Sequence, residues 1–370
     1  MSDNMPLILL SAGGTGGHMM PAIALAQDLL SRGYQVEIVT DPRCRHYKEL
    51  YPALSFHVLS SGTIGKGIIK KIQGAMNLGW GMLQAKSLVK RLQPAVVVGF
   101  GGYPSFPSVY AAQSLGIHTI IHESNAVLGK ANQMLASKAE RIALSWPIND
   151  NTGLGDVEAV RAIVTGNPIR SEIAALFTHP YPSLSFDTPM TILVMGGSLG
   201  ATVFSEVVPE ALSKLPEEQR KRLNVIQQCR EADIHEVRQK YHDAGIKARL
   251  ESFFEDVPEL LANCHLFIGR SGASTVTEIT AAGRPAIFVP YPHHADQQQL
   301  TNAEVIAQEG GAWVMEESAF TSDALLPRIE TFLQHPEALF KAAEASRSCG
   351  KPDAARKLGN LVMALASGWE

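Results

Sequence analysis

Leu10-Ser-Ala-Gly-Gly-Thr-Gly-Gly-His18 follows the apolar run Leu7–Leu10, and Val194-Met-Gly-Gly-Ser-Leu-Gly-Ala201 closes a second run, Thr191–Met195. Each reads as a buried strand, a glycine-rich turn and the start of a helix. Such a turn presents backbone N–H groups and the positive end of a helix dipole, a geometry that receives phosphate or pyrophosphate. Glycine suits it because the backbone must approach the anion and adopt positive φ. Gly13, Gly14, Gly16 and Gly17 surround Thr15 in the first turn; Gly196, Gly197 and Gly200 surround Ser198 in the second.

Outward from each turn, short apolar runs alternate with longer helical stretches, the pattern of parallel βαβ units. The first series has strands at Leu7–Leu10, Val36–Val39, Phe56–Leu59, Val96–Gly99, Thr119–His122, Arg141–Leu144 and Ile163–Val164. The second has them at Thr191–Met195, Asn224–Gln228, Arg249–Ser252, Leu266–Gly269, Ala286–Val289 and Ala312–Met315. Pro168, Pro180, Pro182 and Pro189 mark the joining stretch. The expectation is an α/β chain of two doubly wound, Rossmann-like parallel-sheet domains. They are placed at residues 1–166 and 167–345, and 346–370 are expected to be helical and to pack back on the first domain.

The 370 residues suffice for two full cores. Lys+Arg 32 against Asp+Glu 36 leaves a formal charge of −4, so no whole-chain basic field points to nucleic acid. Cys44, Cys229, Cys264 and Cys349 are far apart, poor material for a zinc site or disulfide framework and suited to a reducing compartment. No signal peptide is read at the start, and no run of about 18 apolar residues predicts a span. A cytoplasmic location is expected.

A nicotinamide-dinucleotide reading is suggested by Asp41, which closes the second strand where a ribose-binding acid would stand. The G-x-G-x-x-G spacing fails, because Met19 occupies its third glycine position. Polar segments follow other strands instead: Phe100-Gly-Gly-Tyr-Pro-Ser105, His122-Glu-Ser-Asn-Ala126, Arg270-Ser-Gly-Ala-Ser-Thr-Val-Thr-Glu278 and Pro290-Tyr-Pro-His-His-Ala-Asp-Gln-Gln-Gln299. Ligands of open α/β sheets bind outside the carboxyl ends of strands, so these segments are candidates for one crevice. His293 and His294 lie in the last of them; His235 and His242 read as surface groups on a helix.

These segments, with Pro21, Gly166-Asn-Pro-Ile-Arg170 and Gln298-Gln299 before Asn302-Ala303, resemble the MurG family of peptidoglycan glycosyltransferases in order and spacing from Ala12 to about Asn302. That family moves N-acetylglucosamine from UDP-N-acetylglucosamine onto the 4-hydroxyl of the MurNAc of lipid I, giving lipid II. The resemblance implies the GT-B fold, two domains facing a cleft, with inversion at the anomeric carbon, no cofactor and no required metal. No Asp-x-Asp stands beside a strand end, in agreement.

Carried over residue by residue, the resemblance implies that the donor meets Ser198 at its diphosphate, the Phe254 backbone at uracil and Glu278 at the ribose hydroxyls. Ala273, Ser274 and Thr275 join Glu278, and Gln298 and Gln299 take the sugar hydroxyls. Thr15, Gly16, Gly17 and Asn125 would face the sugar, with Arg170 near the nucleotide. Gly13, Gly14, Gly101, Gly102 and Tyr103 would form an acceptor or pyrophosphate loop. The sequence departs from the family pattern at Ser274, where an apolar residue is common, at Leu199, usually Gln, and at Gln298, often His. His18 is the candidate base, since it ends the first glycine loop and histidine titrates near neutrality; His122 and Glu123 are second candidates. A UDP-N-acetylglucosamine 2-epimerase-like enzyme and a non-catalytic nucleotide-sugar binder remain as alternatives.

One charge asymmetry stands out. Between Glu49 and Glu123 there is no Asp or Glu, while Lys66, Lys70, Lys71, Lys86, Lys90 and Arg91 fall there. Ile64, Lys66, Ile68, Ile69, Lys70, Lys71 and Trp80 form a candidate patch for an anionic membrane surface. With a lipid-linked acceptor, this predicts a peripheral protein on the cytoplasmic face of the inner membrane, where cell-wall or division complexes would supply partners.

Overall fold

The computed structural model describes residues 5–14, 16–60, 68–149, 152–185, 188–197, 200–293 and 297–368, and no side chain of residues 68–78. Two compact units result, one of residues 1–170 with 353–370, the other of 171–352.

The first unit holds β1 (Leu7–Ser11), β2 (Gln35–Thr40), β3 (Ser55–Val58), β4 (Val96–Gly99), β5 (His118–Glu123), β6 (Arg141–Leu144) and β7 (Ala162–Val164). They form one sheet in the order β3-β2-β1-β4-β5-β6-β7, every pair parallel. The second unit holds β8 (Met190–Met195), β9 (Leu223–Gln228), β10 (Lys247–Glu251), β11 (Leu266–Gly269), β12 (Ala286–Phe288) and β13 (Ala312–Val314). Its order is β10-β9-β8-β11-β12-β13, again parallel throughout. Central strands are buried on both faces, so β4 and β11 are continuous apolar runs ending in glycine.

In both sheets the chain starts in the middle, runs to one edge, then returns to build the other half. The order reverses between β1 and β4 and between β8 and β11, and a doubly wound sheet opens its ligand crevice at such a point. Both glycine turns and both of the partner segments, 100–105 and 270–278, leave strands at these two points.

The domain limits differ from the sequence expectation. The first division falls after Arg170 rather than after 166, and the second after Pro352 rather than after 345. The helix Pro336–Cys349 packs within the second unit, its Leu339 joining that unit's core. The last helix, Ala354–Ala366, returns to the first unit. Leu358, Val362 and Leu365 recur at helical spacing and are buried among Ile23, Leu25 and Leu29 of the helix Gly16–Ser31. Gly359 permits the approach, since a side chain there would meet Asp28, and Arg32 Nη1 donates to Asn360 Oδ1 at 2.6 Å.

The long helix Ile68–Leu92 lies beside the edge strand β3. Gly81 lets it close on the Ser60 carbonyl, and Ser60 N donates to Gln84 Oε1 at 2.9 Å. Ala85, Leu88 and Val89 enter the core, whereas Trp80 and Leu83 are 59% and 63% exposed. A groove of about 530 Å³ runs between helix and strand, lined by Phe56, His57, Trp80, Leu83 and Arg91 among others. No helix among the described residues is long and apolar enough to cross a membrane.

Candidate active site

In the first unit, the turn after β1 meets the turn after β4. A Cβ on Gly13 would stand 2.9 Å from Pro104 Cβ, so only glycine admits this approach. Gly101 and Gly102 have φ of +80° and +72°, which L side chains rarely adopt. The His18 imidazole occupies the space they leave: a Cβ on Gly102 would lie 3.3 Å from its Cε1, and one on Gly101 3.7 Å from its Nε2. Candidate base and candidate acceptor loop thus touch, across more than eighty residues of sequence. Tyr103 stands beside them, 54% exposed.

His18 is half-buried, and its pKa is lowered, chiefly by burial. The Glu123 carboxylate and a hydrogen bond to the Gly13 backbone pull it up, while the Arg43 guanidinium pushes it down. The net result is an imidazole that is neutral at pH 7 and able to accept a proton. Thr15, between the glycines, lies outside the described residues.

His122 and Glu123, at the end of β5, are both engaged within the fold. His122 is fully buried, its Nε2 3.1 Å from the Gly166 carbonyl, and burial pulls its pKa down to about 4. Glu123 is 4% exposed. One carboxylate oxygen accepts from Asn125 N and Asn125 Nδ2, each at 3.0 Å; the other accepts from Gly129 N at 2.9 Å and Asn132 Nδ2 at 2.8 Å. Four donors fill the acceptor capacity of a carboxylate. Glu123 therefore clasps the loop carrying Asn125 and puts a fixed negative charge near His18.

Beyond β2 the sequence reading misses two groups. Asp41, completely buried, is ion-paired to Arg43, and Arg43 stands against Gly14. The Tyr47 hydroxyl would lie 3.2 Å from a Cβ on Gly16, and Arg170 is close enough to act electrostatically on that phenol. The available signal was Asp41 itself, two residues before Arg43.

In the second unit, Gly196, Gly197 and Gly200 carry the turn after β8; Ser198 and Leu199 lie outside the described residues. Gly197 and Gly200 have φ of +88° and +67°. Gln228, ending β9, ties this turn to its neighbour: its Oε1 accepts from Gly196 N at 3.2 Å and its Nε2 donates to Ser252 O at 3.2 Å. Phe254 is buried at 3% exposure, with Arg249 5.1 Å from its ring centroid. The neighbouring Phe253 is 67% exposed.

Ala273, Ser274 and Thr275 form the first turn of the helix Ala273–Ala282, which starts at Gly272 just beyond β11. Glu278, four residues after Ser274, falls on the same helix face, and both are half-buried. Gln298 and Gln299 open the helix Gln298–Gln308. Gln299 is held by both ends: its Oε1 accepts from Tyr291 N at 3.0 Å, and its carbonyl accepts from Ser271 Oγ at 2.7 Å. Arg270 braces the 290–293 loop from within, donating to Val289 O at 3.0 Å and Pro290 O at 3.2 Å and pairing with Glu317. Above it lies a cavity of about 380 Å³ lined by Tyr291, His293, Gln297, Leu300, Glu316 and Ser318 among others. His294 lies outside the described residues.

Ile64 and Lys66 of the candidate membrane patch also lie outside the described residues, and Ile68, Ile69, Lys70 and Lys71 are seen only as helical backbone. Among the described residues no group of three or more His, Cys, Asp or Glu is placed to hold a metal ion.

Comparison with known proteins accords with this arrangement. The glycosyltransferase family 28 N-terminal domain matches residues 8–144, and the family 28 C-terminal domain matches residues 191–358. The UDP-N-acetylglucosamine–N-acetylmuramyl-(pentapeptide) pyrophosphoryl-undecaprenol N-acetylglucosamine transferase of Rhodospirillum centenum is 49% identical over 98% of this chain and 95% of its own length. The protein of the same name from Paramagnetospirillum magneticum is 46% identical over 99% and 98%. The crystal structure of Acinetobacter baumannii MurG superposes with a TM-score of 0.78 at 30% identity, covering 97% of this chain and 99% of that one. A UDP-GlcNAc 2-epimerase from Neisseria meningitidis reaches 0.68 at 12% identity, covering 96% and 99%, a likeness of fold alone. The two-domain parallel-sheet fold is of the GT-B class, and the chain belongs to the MurG family within glycosyltransferase family 28.

Proposed function

We propose that this chain transfers N-acetylglucosamine from UDP-N-acetylglucosamine to the 4-hydroxyl of the MurNAc of lipid I, forming lipid II with inversion at the anomeric carbon. The observation that carries the mechanism is the His18 imidazole seated on Gly101–Gly102 at the switch point of the first sheet. In the proposed step the acceptor oxygen attacks the anomeric carbon, the bond to UDP breaks, and His18 takes the acceptor proton. General-base catalysis of this kind contributes roughly 10²–10⁴-fold.

The second unit is assigned the donor. The helices Thr202–Ser213 and Ala273–Ala282 point their N-termini toward the ends of β8 and β11, and dipoles so directed favour the diphosphate charge that develops as UDP leaves. Ser198 is assigned the diphosphate, the Phe254 backbone the base, Glu278 the ribose, and Gln298 and Gln299 the sugar. Asn125, held by Glu123, and Arg170 keep the donor-facing roles that the family resemblance implies.

Exposed Trp80 and Leu83, near Lys86, Lys90 and Arg91 on one helix, support adsorption to an anionic leaflet, at about 1 kcal/mol per basic residue near the surface. On this reading the first unit works at the cytoplasmic face of the inner membrane, next to its acceptor. Transfer of labelled N-acetylglucosamine to a lipid I analogue, with assignment of the product anomer, tests the whole reading. Release of UDP or a sugar epimer from UDP-N-acetylglucosamine alone would instead favour the epimerase alternative.

A further inference from the structure

Asp41 was the residue that suggested a dinucleotide site, and the fold gives it a different task. Its side chain is 0% exposed and accepts from Arg43 N at 3.1 Å through one oxygen. The other oxygen takes Arg43 Nε at 2.8 Å and Arg43 Nη2. Pro42, at the start of the short helical turn Pro42–Cys44 for which Asp41 is the N-cap, fixes the chain between the paired residues. The result is asymmetric: the carboxylate is sealed inside while the Arg43 side chain keeps 47% of its surface.

A guanidinium has five N–H donors in a rigid fork. Two face Asp41, which leaves three without a hydrogen bond among the described residues. They lie against the first glycine loop. A Cβ on Gly14, whose φ is +86°, would stand 3.2 Å from Arg43 Nη2 and 3.8 Å from Nη1. One helical turn further on, the Tyr47 hydroxyl lies against Gly16, with the Arg170 charge acting on it. A pinned, half-exposed guanidinium with a free edge is the side chain best matched to phosphoryl oxygens, because its fork is pre-organised and always charged.

We propose that Arg43, held in place by Asp41, binds a phosphoryl-bearing anion at the first glycine loop. On the functional reading above, on which this rests, the anion is the diphosphate of the lipid-linked acceptor rather than that of the nucleotide sugar. Arg43 acts as a binding residue and Asp41 as its positioning residue.

Steady-state kinetics of the full chain with a lipid I analogue and UDP-N-acetylglucosamine test this. Arg43→Ala should raise the acceptor KM about 10–100-fold, the range for a lost hydrogen bond to a charged group, and leave the donor KM unchanged. Arg43→Lys should fall between, since it keeps charge but loses the fork. Asp41→Asn should raise the acceptor KM less, and the double variant should be no worse than Arg43→Ala, because both changes act through one guanidinium. An unchanged acceptor KM in a folded Arg43→Ala protein overturns the proposal. A raised donor KM with an unchanged acceptor KM would assign the anion to the nucleotide and overturn the acceptor assignment.

Calorimetric titration with inorganic pyrophosphate keeps the site testable apart from the reaction. Binding by the native chain that Arg43→Ala abolishes supports the anion site even if no transfer to lipid I is detected. Equal binding by both proteins refutes it, whatever the activity.

Discussion

The two glycine loops begin alike and end differently. In the first, three glycines are crowded by side chains, Pro104 at Gly13, Arg43 at Gly14 and Tyr47 at Gly16, and His18 at the loop's end rests on Gly101 and Gly102 of the turn after β4. In the second, Gly197 has nothing within 4 Å of where a side chain would start among the described residues, Gly196 folds back on its own turn at Gly200 and Ala201, and a Cβ on Gly200 would stand 3.1 Å from Arg230 Cγ. The first loop lies against an imidazole and a cation; the second has a cation of its own, Arg230 at Gly200, beside an open position at Gly197. On the proposed reading the same strand–turn–helix unit serves proton transfer in one unit and ligand reception in the other.

The sharpest way to break this comparison is His18→Ala. If the first loop holds the base, kcat should fall roughly 10²–10⁴-fold while UDP still binds. Near-normal turnover would leave both loops as binding devices and remove the distinction. The counterpart in the second unit is Glu278→Gln, which should raise the donor KM about tenfold or more and spare the acceptor KM. An effect on the acceptor alone would reverse the assignment of the units.

The pH dependence sharpens the contrast further. If His18 is the base it must be neutral to act, so kcat/KM should decline on the acid side only below pH 6.5, because burial lowers that imidazole's pKa. Glu123 raises the same pKa, so Glu123→Gln should move the acid limb to still lower pH. Arg43 lowers it, so Arg43→Ala should move the limb upward. A limb that ignores both variants would mean that another group is being titrated.

Stability should respond to acid through His122. Its folded pKa of about 4 lies below the ordinary 6.5, so the unfolded chain binds more protons between these values. Stability is therefore intact above pH 6.5 and is lost as pH falls toward 4, by up to about 3 kcal/mol from this group. His122→Phe should flatten that slope in chemical denaturation; an unchanged slope would place the acid sensitivity elsewhere. The smallest effect concerns the proposed membrane face of the first unit. Replacing Lys70 and Lys71 with Glu should weaken sedimentation with anionic vesicles, by about 1 kcal/mol for each lysine lost, and leave donor binding intact.

Much of the scaffold was legible without coordinates. Among the described residues all thirteen strands occur where the sequence predicts them, with ends moved by a residue or two, and the central ones, buried on both faces, are apolar almost throughout. The glycine turns and the polar segments after β4, β5, β11 and β12 were legible for a related reason: a buried sheet tolerates them only at its ends. The limits of the last segment were not. The break at Gly350 and Pro352 separates two helices of similar composition, and only the packing of Leu358, Val362 and Leu365 against the helix Gly16–Ser31 sends the final one to the first unit.

Sequence alone determined the fold class, which follows from local periodicity, and the family, which follows from short motifs in a fixed order along the chain. Tertiary structure decided which side chains are available for chemistry. Asp41 looked like a ribose ligand and is sealed against Arg43; Glu123 looked like a base and is filled by four donors; His18 gains its place from Gly101 and Gly102, far along the chain. A carboxylate's role depends on which donors reach it, and those donors come from separate loops that only the closed sheet brings together.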